Sequence, residues 1–211
     1  MIRLLIAESQ ATLREGLKQI ISVSPDLVVS GETASGPEFM EKAWSTDWDV
    51  ALLEISLPGR GGLEILDQLK RSQIKRPVLT LGDGSGEHYA VRALKAGAAG
   101  YLNKECTPEE LLGAIRKVAG GGKYISPALA EQLASDLTED SHQLSHEHLS
   151  DRELEVFLLI ASGKTLTEIA QQLSLSVKTI STYHTRILEK MRLKNNSELI
   201  RYACEHHLVE C

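Results

Sequence analysis

The 211-residue chain has no apolar run long enough to cross a bilayer, and its first residues lack the charged-then-apolar start of an export signal. We therefore expect a cytoplasmic protein with no membrane partner. Cysteine is scarce: Cys106, Cys204 and Cys211 are few and widely spaced. That argues against a disulfide framework or a zinc site and for a reducing compartment, with packed or exposed thiols. Positive charge is also short, 23 Lys and Arg against 29 Asp and Glu, for a net charge of -6. A blanket binder of polyanions is thereby excluded.

Signs of catalysis are missing too. Gly82-Asp83-Gly84-Ser85-Gly86 is glycine-rich but lacks the Lys-Ser/Thr of a phosphate loop, and no nucleophile and base are visibly paired. His142, His146 and His148 cluster without a matching set of metal ligands. We expect no enzyme, no catalytic residues, no cofactor and no metal.

What is present is a hydrophobic content of 42%, ample for ordinary cores, over a length that suits one large or two small domains. The front part alternates strand-like and helix-like segments. Short apolar runs at Ile2–Ala7, Leu27–Ser30, Val50–Ile55, Val78–Leu81 and Gly100–Asn103 read as strands, the first and third buried on both faces. Helical periodicity fills Gln10–Val23, Pro37–Trp44, Leu63–Leu69 and His88–Lys95. Thr107 caps a further helix, with Pro108 at its first position, running to about Val118. Five strands alternating with five helices imply an α/β doubly wound parallel sheet, flavodoxin-like, over residues 1–122. Its working cleft lies beyond the carboxyl ends of the strands, at Glu8, Ser9, Glu54, Gly82, Asp83 and Lys104.

Residues 123–147 read as a linker containing a helix, Pro127–Leu137, followed by a polar stretch from Thr138 to His148 with little to bury and a tip near Ser141–Ser145. An all-α domain of four helices follows, residues 148–211. Ser150 and Glu153 form a capping box, and Leu154, Phe157, Leu158 and Ala161 face inward. Thr165 caps a short helix with Leu166, Ile169, Ala170 and Leu173 on its apolar side. Ser174-Leu175-Ser176 breaks the pattern, and Ser176 caps a longer helix. Val177, Ile180, His184, Ile187, Leu188 and Met191 fall on its inner side, where core packing is the expected role of His184. Ser197–His207 is the last helix, and its Leu199, Ile200 and Ala203 offer a dimer contact.

Two short helices joined by a tight turn read as a helix-turn-helix, although periodicity alone fits a plain helical hairpin with a solvated basic face equally well. The chemistry of the second helix suits a major groove. Its Ser and Thr side chains are short and can hydrogen-bond base edges. From Val177 to Lys194 five Lys or Arg stand against one acid, Glu189. One basic element on an acidic molecule fits a single docking face for duplex DNA.

Together these stretches resemble the NarL/FixJ type of two-component response regulator, a CheY-like receiver followed by a LuxR-type helix-turn-helix. The resemblance rests on LLIAES at residues 4–9, REGL at 14–17, ALLEISLPGRGGLE at 51–64 and RALKAGAAGYLNK at 92–104. In the second part it rests on LSDRELEVF at 149–157 and TEIAQQLSLSVKTISTYHTRILEKM at 167–191. It implies a transcriptional regulator that binds DNA sequence-specifically, as a homodimer, with a histidine kinase or another regulator as a further partner. By the same resemblance, Ser181, Thr182 and Thr185 match positions for base contact, while Lys178, Thr179, Tyr183, Arg186 and Lys190 are placed for backbone phosphates. A dimer asks for two half-sites about one helical turn apart or closer.

The receiver departs from the family pattern where its chemistry is done. The family's paired magnesium-binding acids are Glu8 and Ser9, its phosphorylated aspartate matches Glu54, and its switching hydroxyl matches Gly82. Lys104 is kept, with the switch aromatic at Tyr101. Phosphoryl transfer to a carboxylate needs an in-line oxygen and a divalent cation. One extra methylene displaces that oxygen by about a bond length, a change that can cost roughly 10²-fold. We therefore expect a degenerate phosphoacceptor pocket and regulation without aspartyl phosphorylation. Either Glu54 reaches Lys104 and stands in for a phosphoryl oxygen, or the receiver is retained as a dimerisation scaffold. The alternative for the whole chain is a protein-interaction module that pairs with other regulators or kinases and binds DNA weakly.

Overall fold

A computed structural model describes residues 1–82, 87–126, 130, 145–206 and 208–209, with residues 87, 88, 145 and 147 as backbone alone. The chain forms two compact units, Met1–Ala134 and Ser135–Cys211.

In the first unit the order is β1 (Ile2–Ala7), α1 (Ala11–Ser22), β2 (Leu27–Thr33), α2 (Gly36–Ser45), β3 (Val50–Glu54), α3 (Gly62–Arg71), β4 (Val78–Gly82), α4 (Glu87–Ala96), β5 (Gly100–Asn103) and α5 (Pro108–Ala119). All neighbouring strands are parallel, in the order β2-β1-β3-β4-β5. The unbroken apolar runs of β1 and β3 are explained by burial on both faces, with Leu4, Leu5, Ile6, Val50, Leu52 and Leu53 all at 0% exposure. Side chains alternate between the two cores. Leu5, Ala7, Ala51 and Leu53 join Phe39, Trp48 and Leu63 on one face; Leu4, Ile6, Val50 and Leu52 join Leu17, Ile21, Leu111 and Ile115 on the other.

β2 extends to Thr33, three residues beyond the expected end at Ser30. Gly31 lies within it, where the pairing with β1 slips by one residue: Leu4 faces Val29 and Leu5 faces Gly31. At the carboxyl ends of the strands Glu8, Glu54, Gly82 and Lys104 come together, with the Lys104 amide donating to Gly82 O at 2.8 Å.

The second unit contains a short 3₁₀ turn (Ser145–His148), α6 (Asp151–Ala161), α7 (Leu166–Gln172), α8 (Val177–Met191) and α9 (Asn196–Glu205). The expected caps are present: capping boxes at Thr107/Glu110, Ser150/Glu153 and Thr165/Glu168, and Ser176 accepting from the Thr179 amide. The last helix starts earlier than Ser197, because Asn195 accepts from the Glu198 amide at 3.0 Å and caps it.

Some expectations need correction. The polar stretch ending at His148 does bury a side chain: His146 is 4% exposed, its Nδ1 3.0 Å from the Tyr202 hydroxyl. Cys204 is disulfide-bonded and not a plain thiol, whereas Cys106 is free. Of the helix expected at Pro127–Leu137 only Ala130 is described, helical and donating its amide to Ser126 O at 2.9 Å; the rest of it, and the linker tip up to residue 144, lie outside the described residues. Among the described residues no helix is long and apolar enough to cross a membrane.

Ahead of β2, Asp26 is gripped by Arg116 of α5 through two bonds of 2.8 and 2.9 Å. The guanidinium holds the Asp26 carboxyl at about 2. A depressed acid contributes stability above its unfolded pKa and loses it as pH falls through the folded one. This clamp therefore weakens between the ordinary aspartate range, near ~4, and the value of about 2. Arg116→Ala should return the Asp26 titration midpoint to the ordinary range, read by NMR pH titration of the carboxyl carbon.

Candidate functional site

The pocket at the strand ends is built from three segments. Glu8 follows β1, Glu54 ends β3, and Lys104 follows β5. Glu8 is fully buried, the Glu54 side chain is 5% exposed and that of Lys104 9%. Lys104 Nζ donates to Glu54 Oε1 at 2.6 Å and lies 3.2 Å from Glu8 Oε2. The second oxygen of Glu54 accepts the Ser9 amide at 2.8 Å, and Glu8 Oε1 accepts the Gln10 amide at 2.9 Å. Glu8 Oε2 is close enough to the ammonium for charge attraction but not aligned for a hydrogen bond. Burial, reinforced by the Glu54 charge, pushes the Glu8 carboxyl up, against the pull of the Gln10 amide and Lys104.

Magnesium is ordinarily held by one or two carboxylates and several waters, and here it would have to draw both carboxylates away from the Lys104 ammonium. Two carboxylates face this pocket among the described residues, and both already lean on the Lys104 ammonium or on a backbone amide. Among the described residues no cluster of His, Cys, Asp or Glu could hold a metal.

Gly82, whose carbonyl accepts the Lys104 amide, lies against Tyr101. Paired strands β4 and β5 bring them together, and a Cβ on Gly82 would sit 2.2 Å from Tyr101 Oη and 2.8 Å from Cζ. The tyrosine, 8% exposed, is thus folded inward over the bare glycine. Sequence reasoning named both residues but missed that each requires the other. Asp83, the remaining residue of the expected cleft, lies outside the described residues.

In the second unit α8 offers an open polar face. Ile180, Ile187 and Met191 are buried, while Lys178, Ser181, Thr182, Thr185 and Arg186 are exposed; Thr179 and Tyr183 are half-buried. Ser176, Lys178, Thr179, Thr182, Tyr183 and Arg186 line a groove of about 270 Å³. Thr182 and Thr185 donate their hydroxyls to Lys178 O and Ser181 O, at 3.0 and 3.1 Å, which leaves lone pairs directed outward.

Three placements on α8 differ from expectation. Val177 is 46% exposed at the first position of the helix instead of packed inward. His184 is half-buried at the edge of the core, 2.5 Å from Asn196 Oδ1. Lys190 Nζ is 2.5 Å from Glu153 Oε2 and braces α8 to α6. Burial pushes Glu153 up, but Lys190 and the Ser150 hydrogen bonds outweigh it and hold the carboxyl below its usual range. Arg152 adds a second brace, bonding Glu155 at 2.5 Å and Leu173 O at 3.3 Å. The Lys190–Glu153 and Arg152–Leu173 contacts join residues distant in the chain, and no local pattern announces them; Arg152 and Glu155 stand three apart on one helix.

A doubly wound sheet with an acid-and-lysine pocket at its strand ends, on one chain with a helix-turn-helix unit, defines a receiver coupled to a DNA-binding output. Residues 4–116 match the response regulator receiver domain, and residues 147–203 match the bacterial regulatory proteins of the luxR family. The chain is 34% identical to the response regulator GacA of Pseudomonas aeruginosa over 100% of its length and 99% of that protein. It is 36% identical to the nitrate/nitrite response regulator protein NarL of Escherichia coli, covering 92% of this chain and 91% of that one. RcsB of Salmonella enterica serovar Typhimurium, solved bound to the promoter rprA with a phosphomimetic, shares the fold at a TM-score of 0.65 and 23% identity, covering 97% and 99% of the two chains. The chain belongs to the response regulators with a luxR-family helix-turn-helix output domain.

The tyrosine–glycine packing predicts a coupled response. Gly82→Ala should cost about 1–3 kcal/mol by overpacking. The cost should vanish when Tyr101 is also replaced by Ala, as a four-member cycle of urea melts would show.

Proposed function

We propose that this protein is a sequence-specific DNA-binding transcriptional regulator whose receiver works without aspartyl phosphorylation. The carrying observation is the Lys104–Glu54 ion pair at 2.6 Å, with the second Glu54 oxygen held by the Ser9 amide. The carboxylate at the end of β3 is engaged on both oxygens, and the lysine that would answer a phosphoryl group already has its anion. With Tyr101 inward over Gly82, the pocket rests in one arrangement that needs no added group. This is the stand-in reading and not the bare scaffold. On the output side, Ser181, Thr182 and Thr185 read base edges from α8, and Lys178, Thr179, Tyr183 and Arg186 hold backbone phosphates. Lys190 acts first as the brace to Glu153. The receiver-like part is residues 1–122, the linker 123–147 and the output domain 148–211. The active species is a homodimer on duplex DNA.

Genomic footprinting of purified protein without a phosphodonor should show discrete protected sites, unchanged by magnesium plus acetyl phosphate. Loss of all site preference, or its appearance only with the phosphodonor, would overturn the reading.

The sorting of α8 residues is tested separately. Thr182→Ala should weaken binding to a footprinted site by about 1–3 kcal/mol while leaving random duplex untouched. Lys178→Ala should weaken both alike and lower the salt slope by about one. Gel-shift competition across a salt series distinguishes the two outcomes.

A further inference from the structure

At the end of the receiver sheet opposite the Glu54 pocket lies a groove of about 610 Å³, bounded by the last turn of α3, the segment 73–78, the end of α4 and residues 118–123. Leu66, Leu69, Ile74, Val78 and Val118 give it an apolar floor. Among the described residues every charged one that lines it is a cation: Lys70, Lys75, Arg76 and Lys123. This happens on a chain of net charge -6, so the excess is local and runs against the molecule's own field.

Three helices end here, and cations near helix ends often serve only to answer the final carbonyls. That role is already filled by backbone amides. Ile74 N donates to Leu69 O at 3.1 Å, Ala98 N to Ala93 O at 2.9 Å, and Gly122 N to Lys117 O at 3.0 Å. Lys70 and Lys75 are exposed and make no hydrogen bond or ion pair among the described residues. Lys123 is fixed by Ala98 O at 2.7 Å, with further donors on its ammonium to spare. Arg76 is engaged loosely, 3.5 Å from Asp47 and 5.1 Å over the Trp48 ring.

We propose that this groove binds an amphipathic organic anion, its apolar body on the Leu66–Val78–Val118 floor and its carboxylate among Lys70, Lys75 and Lys123. The volume is that of a small-molecule site, mostly apolar with a few charged groups to orient the ligand. The charge balance selects an anion, and the floor selects one with a hydrocarbon or aromatic body. The proposal is independent of how the Glu54 pocket is regulated.

The probe is 8-anilinonaphthalene-1-sulfonate, an aromatic body with one anionic group, titrated by fluorescence into the full-length folded protein. Saturable binding is expected, displaced by decanoate and not by equal decanol. Lys70→Glu combined with Lys75→Glu should weaken it at least about tenfold, whereas Lys178→Glu should leave it unchanged. Lys70→Gln with Lys75→Gln replaces the reversal if circular dichroism shows the latter unfolded, and should weaken binding in the same direction. Equal affinity in the folded double variant, or equal displacement by decanol, would overturn the proposal.

Discussion

Two carboxylates and one ammonium buried together at the end of a parallel sheet are the constraint around which the receiver is arranged. Taking each ion out of water costs several kcal/mol, and only close pairing plus further hydrogen bonds repays it. Glu54 meets that requirement through Lys104 and the Ser9 amide. Glu8 meets it less completely, with one oxygen on an amide and the other misaligned, and burial together with the Glu54 charge pushes its carboxyl up. Because the participants follow β1, end β3 and follow β5, the same contacts tie three strand ends together. The pocket is thus both an electrostatic site and a fastening of the sheet edge.

The output unit solves a different problem, the presentation of one exposed helix in a fixed attitude. Ser176 sets where α8 begins, and a left-handed residue, Arg192, ends it. Lys190–Glu153 and the buried Ile180, Ile187 and Met191 set its roll against α6 and α7. Fixing these side chains in advance removes ordering costs that binding would otherwise meet. Short hydroxyl residues on the free face then lie on a rigid rod instead of a loop.

Much of this was legible along the chain. Buried strands announced themselves as unbroken apolar runs, and helix starts as Ser or Thr followed by Glu three residues later. Side-chain length left the reach of Glu54 toward Lys104 as one of two open readings, and the ion pair at 2.6 Å is what the fold brings about. The misses share a cause. Tyr101 over Gly82, Lys190 on Glu153 and His146 against Tyr202 each join residues far apart in sequence, and helical or strand periodicity carries no information about such pairs. Val177 was misassigned because a residue in a helix's first turn can satisfy the angular pattern yet project past the end of the core.

The bare Cα at position 82 also constrains how this receiver can evolve. Any residue other than glycine puts a Cβ inside the footprint of the Tyr101 ring. A side chain at 82 therefore asks the Tyr101 ring to swing outward, a movement of one side chain and not of the backbone. A hydroxyl recovered at the fourth strand's end would come with an outward aromatic, so the side chain at 82 and the attitude of residue 101 are one choice and not two.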